Sequence, residues 1–174
     1  MGEDASAGNI GSQFDRLPAT VADRVVEGRV SREEVLDYFD RRYGILQDTF
    51  DGYSFWEKGA GSVWILRGEL PSPVAIEALG MRVLHTRQRF WKPTTNAIQR
   101  FGGRATRNVV ELDRKAAATF VAGGAQPLAW EGDPGYLVVT ASIAGGVEPL
   151  GVGLYTDGVL RSQIPKARRI DPTG

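Results

Sequence analysis

The chain has 174 residues, 42% of them hydrophobic and 24% charged, with 21 basic against 21 acidic residues and a formal net charge of zero. That length admits one fair-sized domain or two small ones, and overall neutrality argues against tight, indiscriminate binding to nucleic acid. The absence of cysteine removes disulfides, thiolate metal sites and any cysteine nucleophile, and a single histidine, His85, leaves no zinc-type cluster, so neither a metal nor a cofactor is expected.

Residues 1–13, MGEDASAGNIGSQ, are small, polar and acidic, with too little to bury, and are expected to form a disordered tail. They lack the basic start and apolar centre of a secretory signal, and no run approaches the roughly 18 apolar residues of a membrane span, so a cytoplasmic location away from membrane is expected. A first module should run over 14–80. In it, Ser31 and Glu34 have the spacing of a capping box ahead of a helical stripe of Val35, Leu36, Tyr38, Phe39 and Tyr43, which Gly44 stops. Arg41 and Arg42 fall in the last turn, where the helix dipole favours cations, a structural placement. Phe50 to Leu70 reads as a hairpin turning on Gly59, Ala60 and Gly61. Trp56 and Trp64 are expected to pack against the first helix, although a Trp56 exposed beside Lys58 could stack on a base. Pro71 and Pro73 then mark a break, with the join between modules near Gly80.

Residues 82–107 hold seven Lys or Arg and no acid: Arg82, Arg87, Arg89, Lys92, Arg100, Arg104 and Arg107, interleaved with Phe90, Trp91 and Phe101. Such a mixture suits phosphate oxygens and base faces, and the plain alternative is that these bases meet acids from elsewhere in the fold. Pro93 can open a short helix over about Thr94 to Phe101 that buries Ala97, Ile98 and Phe101 and points Thr95, Asn96 and Arg100 elsewhere, with Gly102 and Gly103 ending it. His85, in RVLHT, is expected at a strand or core edge.

After this stretch come a short β-branched strand, NVVEL, and a helix capped by Asp113 and stopped by Gly123. A loop through Trp130 follows, then the apolar run GYLVVTASI. Finally PLGVGLYT and VLRSQIP are joined by Asp157 and Gly158 as a hairpin. Short strands around tight turns suggest a small barrel rather than an open parallel sheet. Lys166, Arg168 and Arg169 lie in the closing KARRIDPTG, either extending a phosphate track or belonging to a frayed end, with 170–174 as tail. The charge is polarised. Residues 1–51 carry eleven acids against six bases, while 161–174 carry four bases against one acid. The fold class expected is α+β: a small N-terminal α/β module over 14–80 and a β pseudo-barrel with short helices over 81–169.

The block GMRVLHTRQRFWKPTTNAIQRFG, followed by RNVVEL, GYLVV, LGVGLYTDGVLRS and IPKARR, resembles the C-terminal RNA-binding region of the NOL1/NOP2/Sun family of RNA cytosine-5 methyltransferases. The likeness spans roughly residues 50–169. The chain as a whole is also similar to a stand-alone family of such domains from halophilic archaea. The resemblance implies a PUA-like pseudo-barrel preceded by a small α/β module, and binding to structured RNA such as tRNA or rRNA in RNA modification or ribosome assembly. An RNA methyltransferase or an assembly factor is the protein partner it suggests. Those enzymes use a cysteine nucleophile and a separate Rossmann-like domain for S-adenosylmethionine. This sequence supplies neither, so a non-catalytic protein is expected. On this reading Arg87, Arg89, Lys92, Arg100, Arg104 and Arg107 neutralise phosphates with help from Asn96, Lys166, Arg168 and Arg169, and Trp91 either stacks or joins the core. The alternatives are a protein-interaction adaptor and a small enzyme built on Glu57, Glu77, Glu111 and Asp113, whose spacing identifies no catalytic pair.

Overall fold

The computed structural model describes residues 13–171, so residues 1–12 of the expected tail and residues 172–174 lie outside the described residues. The fold class is α+β. Two compact units divide the chain: one comprises the residues up to Asp40 together with Leu46–Lys92, the other Arg41–Ile45 together with the residues from Pro93 on.

In the first unit, helix α1 (Arg32–Tyr43) starts where the capping box puts it. The Glu34 amide donates to Ser31 Oγ and the Ser31 amide to Glu34 Oε1, both at 3.1 Å, which satisfies two of the donors that the first turn leaves without helical partners. Six strands form its sheet: β1 (Gln13–Arg16), β2 (Tyr53–Lys58), β3 (Ser62–Arg67), β4 (Val74–Ala75), β5 (Met81–His85) and β6 (Lys92–Pro93), in the spatial order β4-β1-β2-β3-β5-β6. The β2–β3 hairpin sets Trp56 opposite Trp64.

Strand alternation decides where the tryptophans go, and it corrects the expectation that they pack on the helix. Phe55 lies 5.9 Å from Phe50, which lies 5.3 Å from Phe39 of α1, so Phe55 faces the helix. Trp56, the next residue, must face the other way. It packs there with Phe14 and Leu79, with Trp64, Leu66, Leu70 and Val74 around them. Being buried, Trp56 offers no base platform.

β5 joins this first sheet by pairing with β3, and the first compact unit runs on to Lys92. Two features make the pairing possible. Gly80 has φ +59°, and a Cβ there would run into the Ile65 carbonyl oxygen, so only glycine lets the chain turn this close to β3. The register then shifts between Val63 and Trp64: Val63 faces Leu84 while Trp64 faces Arg82. Val83 is the extra residue of a β-bulge, and Val83 and Leu84 are consequently both fully buried. Arg82 and His85 are left on the opposite side of the strand.

The second unit contains α2 (Thr95–Phe101), β7 (Val109–Leu112), α3 (Arg114–Val121), β8 (Ala125–Pro127), β9 (Gly135–Ile143), β10 (Gly146–Thr156) and β11 (Val159–Ser162). Its sheet runs β7-β9-β10-β11-β8 and curls into a half-barrel. β7 lies parallel to β9 and the remaining neighbours are antiparallel. Asp113 caps α3, its Oδ1 accepting from the Ala116 amide at 2.8 Å, an interaction of about 1 kcal/mol. Leu112, Phe120, Leu137, Val139, Leu160 and Ile164 form the core beneath α3. In α2, Ala97, Ile98 and Phe101 are buried as their spacing predicts, but so is Thr95, which the helical stripe had placed outside. The segment Arg41–Ile45 belongs to this unit through hydrogen bonds. Tyr43 donates its hydroxyl to the Tyr136 carbonyl at 2.9 Å, Arg42 Nη2 donates to the same carbonyl at 3.0 Å, and the amides of Thr106 and Arg107 donate to the Tyr43 carbonyl at 2.8 and 3.0 Å. Arg42 thus has the structural duty its place in the helix suggested.

Candidate nucleic-acid interface

The basic stretch is shared between the two units. Arg87, Arg89, Trp91 and Lys92 lie in the first; Asn96, Arg100, Arg104 and Arg107 lie in the second, with Lys166, Arg168 and Arg169.

Within the first unit, Arg87 and Arg89 are exposed. Arg89 stacks its guanidinium 5.1 Å from the Phe90 ring centroid, leaving the in-plane N–H groups for an acceptor. Trp91 is half-buried, its ring 5.3 Å from that of Tyr38 and its carbonyl accepting from the Tyr38 hydroxyl at 2.8 Å. Lys92 is half-buried too, and desolvation lowers the pKa of its ammonium from the usual lysine value.

In the second unit, the exposed side of α2 carries Asn96, Gln99 and Arg100, which helical spacing of three and four residues makes neighbours. Arg168 closes on this surface from the other end of the sequence. Its Nη1 donates to Asn96 Oδ1 at 2.7 Å and its Nη2 to Gln99 Oε1 at 2.6 Å. Gln99 is itself oriented by donating Nε2 to the Leu150 carbonyl at 3.0 Å. Two amides therefore hold one guanidinium without cancelling its charge. Beneath it opens a cleft of about 290 Å³ whose walls include Val121, Leu150, Ile164 and Ile170, with Thr95 and Arg168 among its polar lining.

Residues 165–170 are tied down at several points. A short 3-10 turn, Lys166–Arg168, is followed by Arg169, whose Nε donates to the Ile164 carbonyl at 3.2 Å. The Ile170 amide donates to the Val121 carbonyl at 2.8 Å. Arg169 lies against Gly123, where φ is +90° and a Cβ would run into its guanidinium. Here Gly123, just after α3, makes room for the closing basic segment. Lys166, Arg104 and Arg107 are exposed, Arg104 lying in the 3-10 turn directly after α2.

Among the described residues, Arg87, Arg89, Arg104, Lys166, Arg168 and Arg169 make no ion pair. Elsewhere, Arg16 pairs with Glu69, Arg24 with Glu34, and Arg29 with both Asp15 and Glu57. Glu57 and Asp113, two acids considered for catalysis, thus serve an ion pair and a helix cap. Sequence reasoning missed Gln99, whose polar side chain at three residues from Asn96 is the only signal that could have suggested it.

These features sit on a domain that can be compared with known families. Residues 107–170 match the family described as the methyltransferase RsmF PUA domain. The second unit is therefore PUA-like and resembles the C-terminus of Sun-family methyltransferases. A PUA-type domain implies RNA binding in general. Residues 1–80 match a family of unknown function, DUF7122, and no curated protein matches the chain. The PUA match takes in Arg107, Lys166, Arg168 and Arg169 but begins after α2, so the amides that hold Arg168 are supplied from outside the matched segment. No helix among the described residues is long and apolar enough to cross a membrane.

Proposed function

We propose that the chain is a non-catalytic, cytoplasmic RNA-binding protein that takes structured RNA, tRNA or rRNA, in RNA modification or ribosome assembly, alongside a separate methyltransferase or assembly factor. The observation that carries this reading is Arg168 held by Asn96 and Gln99. It joins the basic C-terminal segment to the α2 surface, where Arg100 and, one turn on, Arg104 add further exposed cations. The adjoining cleft gives an unstacked base an apolar wall beside a fixed guanidinium, a combination that single-stranded or looped RNA exploits. The residues given include no cysteine, so a thiolate-dependent methyl transfer would need a catalytic group from outside them.

Five or six phosphate contacts predict a logarithmic salt slope near −4, at about 0.7 per contact for unpaired strands. Fluorescence anisotropy with a folded tRNA transcript, from about 50 to about 300 mM KCl, measures it. A flat response would remove the electrostatic basis of the reading.

A second reading, an adaptor that docks on assembly factors, draws on the tip of the β9–β10 hairpin, where Ile143 and Val147 are 48% and 57% exposed. Co-purified partners that survive nuclease treatment and are lost from an Ile143→Ser, Val147→Ser double variant would favour it.

A further inference from the structure

A bulge in β10 shapes the cleft beside α2. The register of β10 against β9 shifts between Pro149 and Gly151, so Leu150 has no partner across the pair. Successive strand residues ordinarily face opposite sides, but an extra residue re-aims its neighbours, and Pro149 and Leu150 both line the cleft. The Leu150 carbonyl accepts from Gln99 Nε2 at 3.0 Å, and Gln99 Oε1 in turn accepts from Arg168 Nη2 at 2.6 Å. One irregularity thus builds the apolar wall and orients an amide that holds the guanidinium.

Three features of this cleft serve no purpose inside the protein. Thr95 is only 7% exposed and lines the cleft, yet among the described residues its hydroxyl makes no hydrogen bond, although buried polar groups are nearly always bonded. The helix start does not need it, because the Thr94 hydroxyl caps α2 by accepting from the Ala97 amide at 3.1 Å. Ile170 is fixed through its amide, which donates to the Val121 carbonyl at 2.8 Å, but its side chain stays 62% exposed at the cleft. Arg168 is held by two neutral amides and keeps its charge, and no carboxylate is among the residues lining the cleft. An apolar wall, an unused hydroxyl and an uncancelled guanidinium describe a ligand with a flat apolar body, a hydrogen-bonding edge and a negative charge.

We propose that the cleft is a single-nucleotide site: one unpaired nucleotide lays its base against Leu150, Ile164 and Ile170, bonds its base edge to the Thr95 hydroxyl and rests its phosphate on Arg168. That the nucleotide belongs to RNA rests on the function proposed above; the site itself rests on the bulge, Thr95 and Arg168. A volume of about 290 Å³ lies at the lower end of the roughly 300–1,000 Å³ of small-ligand pockets, which suits one base and excludes a stacked pair. A hydroxyl both donates and accepts, so Thr95 serves the edge of any base. Selection is therefore for an unpaired nucleotide over a paired one, whose faces are stacked and whose edge is already bonded. Thr95 lies in α2, outside the segment that matches the PUA family, so this contact is one that the matched domain alone does not supply.

Calorimetric titration of the full chain with 5′-AMP, adenosine and inorganic phosphate, at low salt, tests the site. AMP is expected to bind about ten-fold or more tighter than either fragment, because wall and guanidinium then act on one molecule. Thr95→Val keeps the shape and removes the hydroxyl. It should weaken AMP about three- to ten-fold, the worth of one hydrogen bond, with the melting temperature unchanged, and Arg168→Ala should bring AMP down to the affinity of adenosine. AMP that binds no tighter than phosphate, or that ignores Thr95→Val, overturns the site, as does a melting temperature that falls with the affinity. The source is tested with an RNA hairpin carrying one bulged adenosine against the same hairpin fully paired. The bulge should bind about five-fold or more tighter, as one base set on an apolar platform produces, and Thr95→Val should erase the advantage. Thr95-dependent AMP binding with no preference for the bulge makes the cleft a free-nucleotide site and overturns the RNA assignment. RNA binding in which AMP, bulge and Thr95 play no part sinks the cleft while the proposed function stands. A Thr95-dependent AMP site in a chain that binds no RNA does the reverse.

Discussion

Replacing Arg100, Arg104 and Arg168 together by alanine should weaken binding to a folded tRNA transcript about 100-fold at about 0.1 M salt and reduce the salt slope from about −4 to about −2. Both figures follow from counterion release. Each lost contact removes a factor of salt concentration raised to roughly 0.7, so at a tenth molar three contacts carry about two decades of affinity. The fold should hardly notice. All three side chains are exposed, Arg168 is bonded only to the amides of Asn96 and Gln99, and surface changes of this kind stay within about 0.5 kcal/mol each. Anisotropy titrations and thermal melts on the same samples separate the two effects. If the melting temperature falls in step with affinity, these arginines hold the fold together, and the case for an RNA interface on α2 fails.

Phe120→Ala is expected to have the opposite profile. Phe120 is fully buried, at the centre of the cluster formed with Leu112, Leu137, Val139, Leu160 and Ile164. Truncating a buried phenylalanine costs about 3–5 kcal/mol through lost transfer free energy and the cavity left behind. Against a total domain stability of about 5–15 kcal/mol, that is a large share. Urea denaturation followed by circular dichroism should show the midpoint displaced with little change in slope. A loss below about 1 kcal/mol would mean that the half-barrel collapses around the gap, and that α3 is not packed as rigidly as its contacts indicate.

What the sequence makes legible is what local chemistry determines. The Ser31–Glu34 box, the Asp113 cap and the Asp157–Gly158 hairpin each draw on residues within a few positions of one another, and each is present. The face taken by Trp56 was beyond reach for a physical reason. In YSFWEK both Phe55 and Trp56 are apolar and both are buried, so the strand lacks the polar alternation that would reveal which side meets the helix. Membership of β5 in the first sheet depends on an unpaired residue at Val83, and a bulge of that sort leaves no mark in composition. The candidate interface was half readable. A run of cations without acids is visible in the letters, but the contacts that hold Arg168 span 72 and 69 positions, a distance over which no periodicity carries information.

The short segment Arg41–Ile45 shows that the PUA-like unit cannot be cut out at the point where its own sequence resumes. A fragment beginning at Pro93 would keep every strand of the half-barrel and all the arginines of α2. Yet it would lose the Tyr43 hydroxyl and carbonyl, and so strand the Tyr136 carbonyl and the amides of Thr106 and Arg107. At about 1–3 kcal/mol for each orphaned group that stays buried, the excised piece would stand near the limit of independent folding. The five residues borrowed from the end of α1 work as a clasp supplied in advance by the upstream chain, and inheritance of the RNA-binding module as a self-sufficient cassette would have to carry that clasp along.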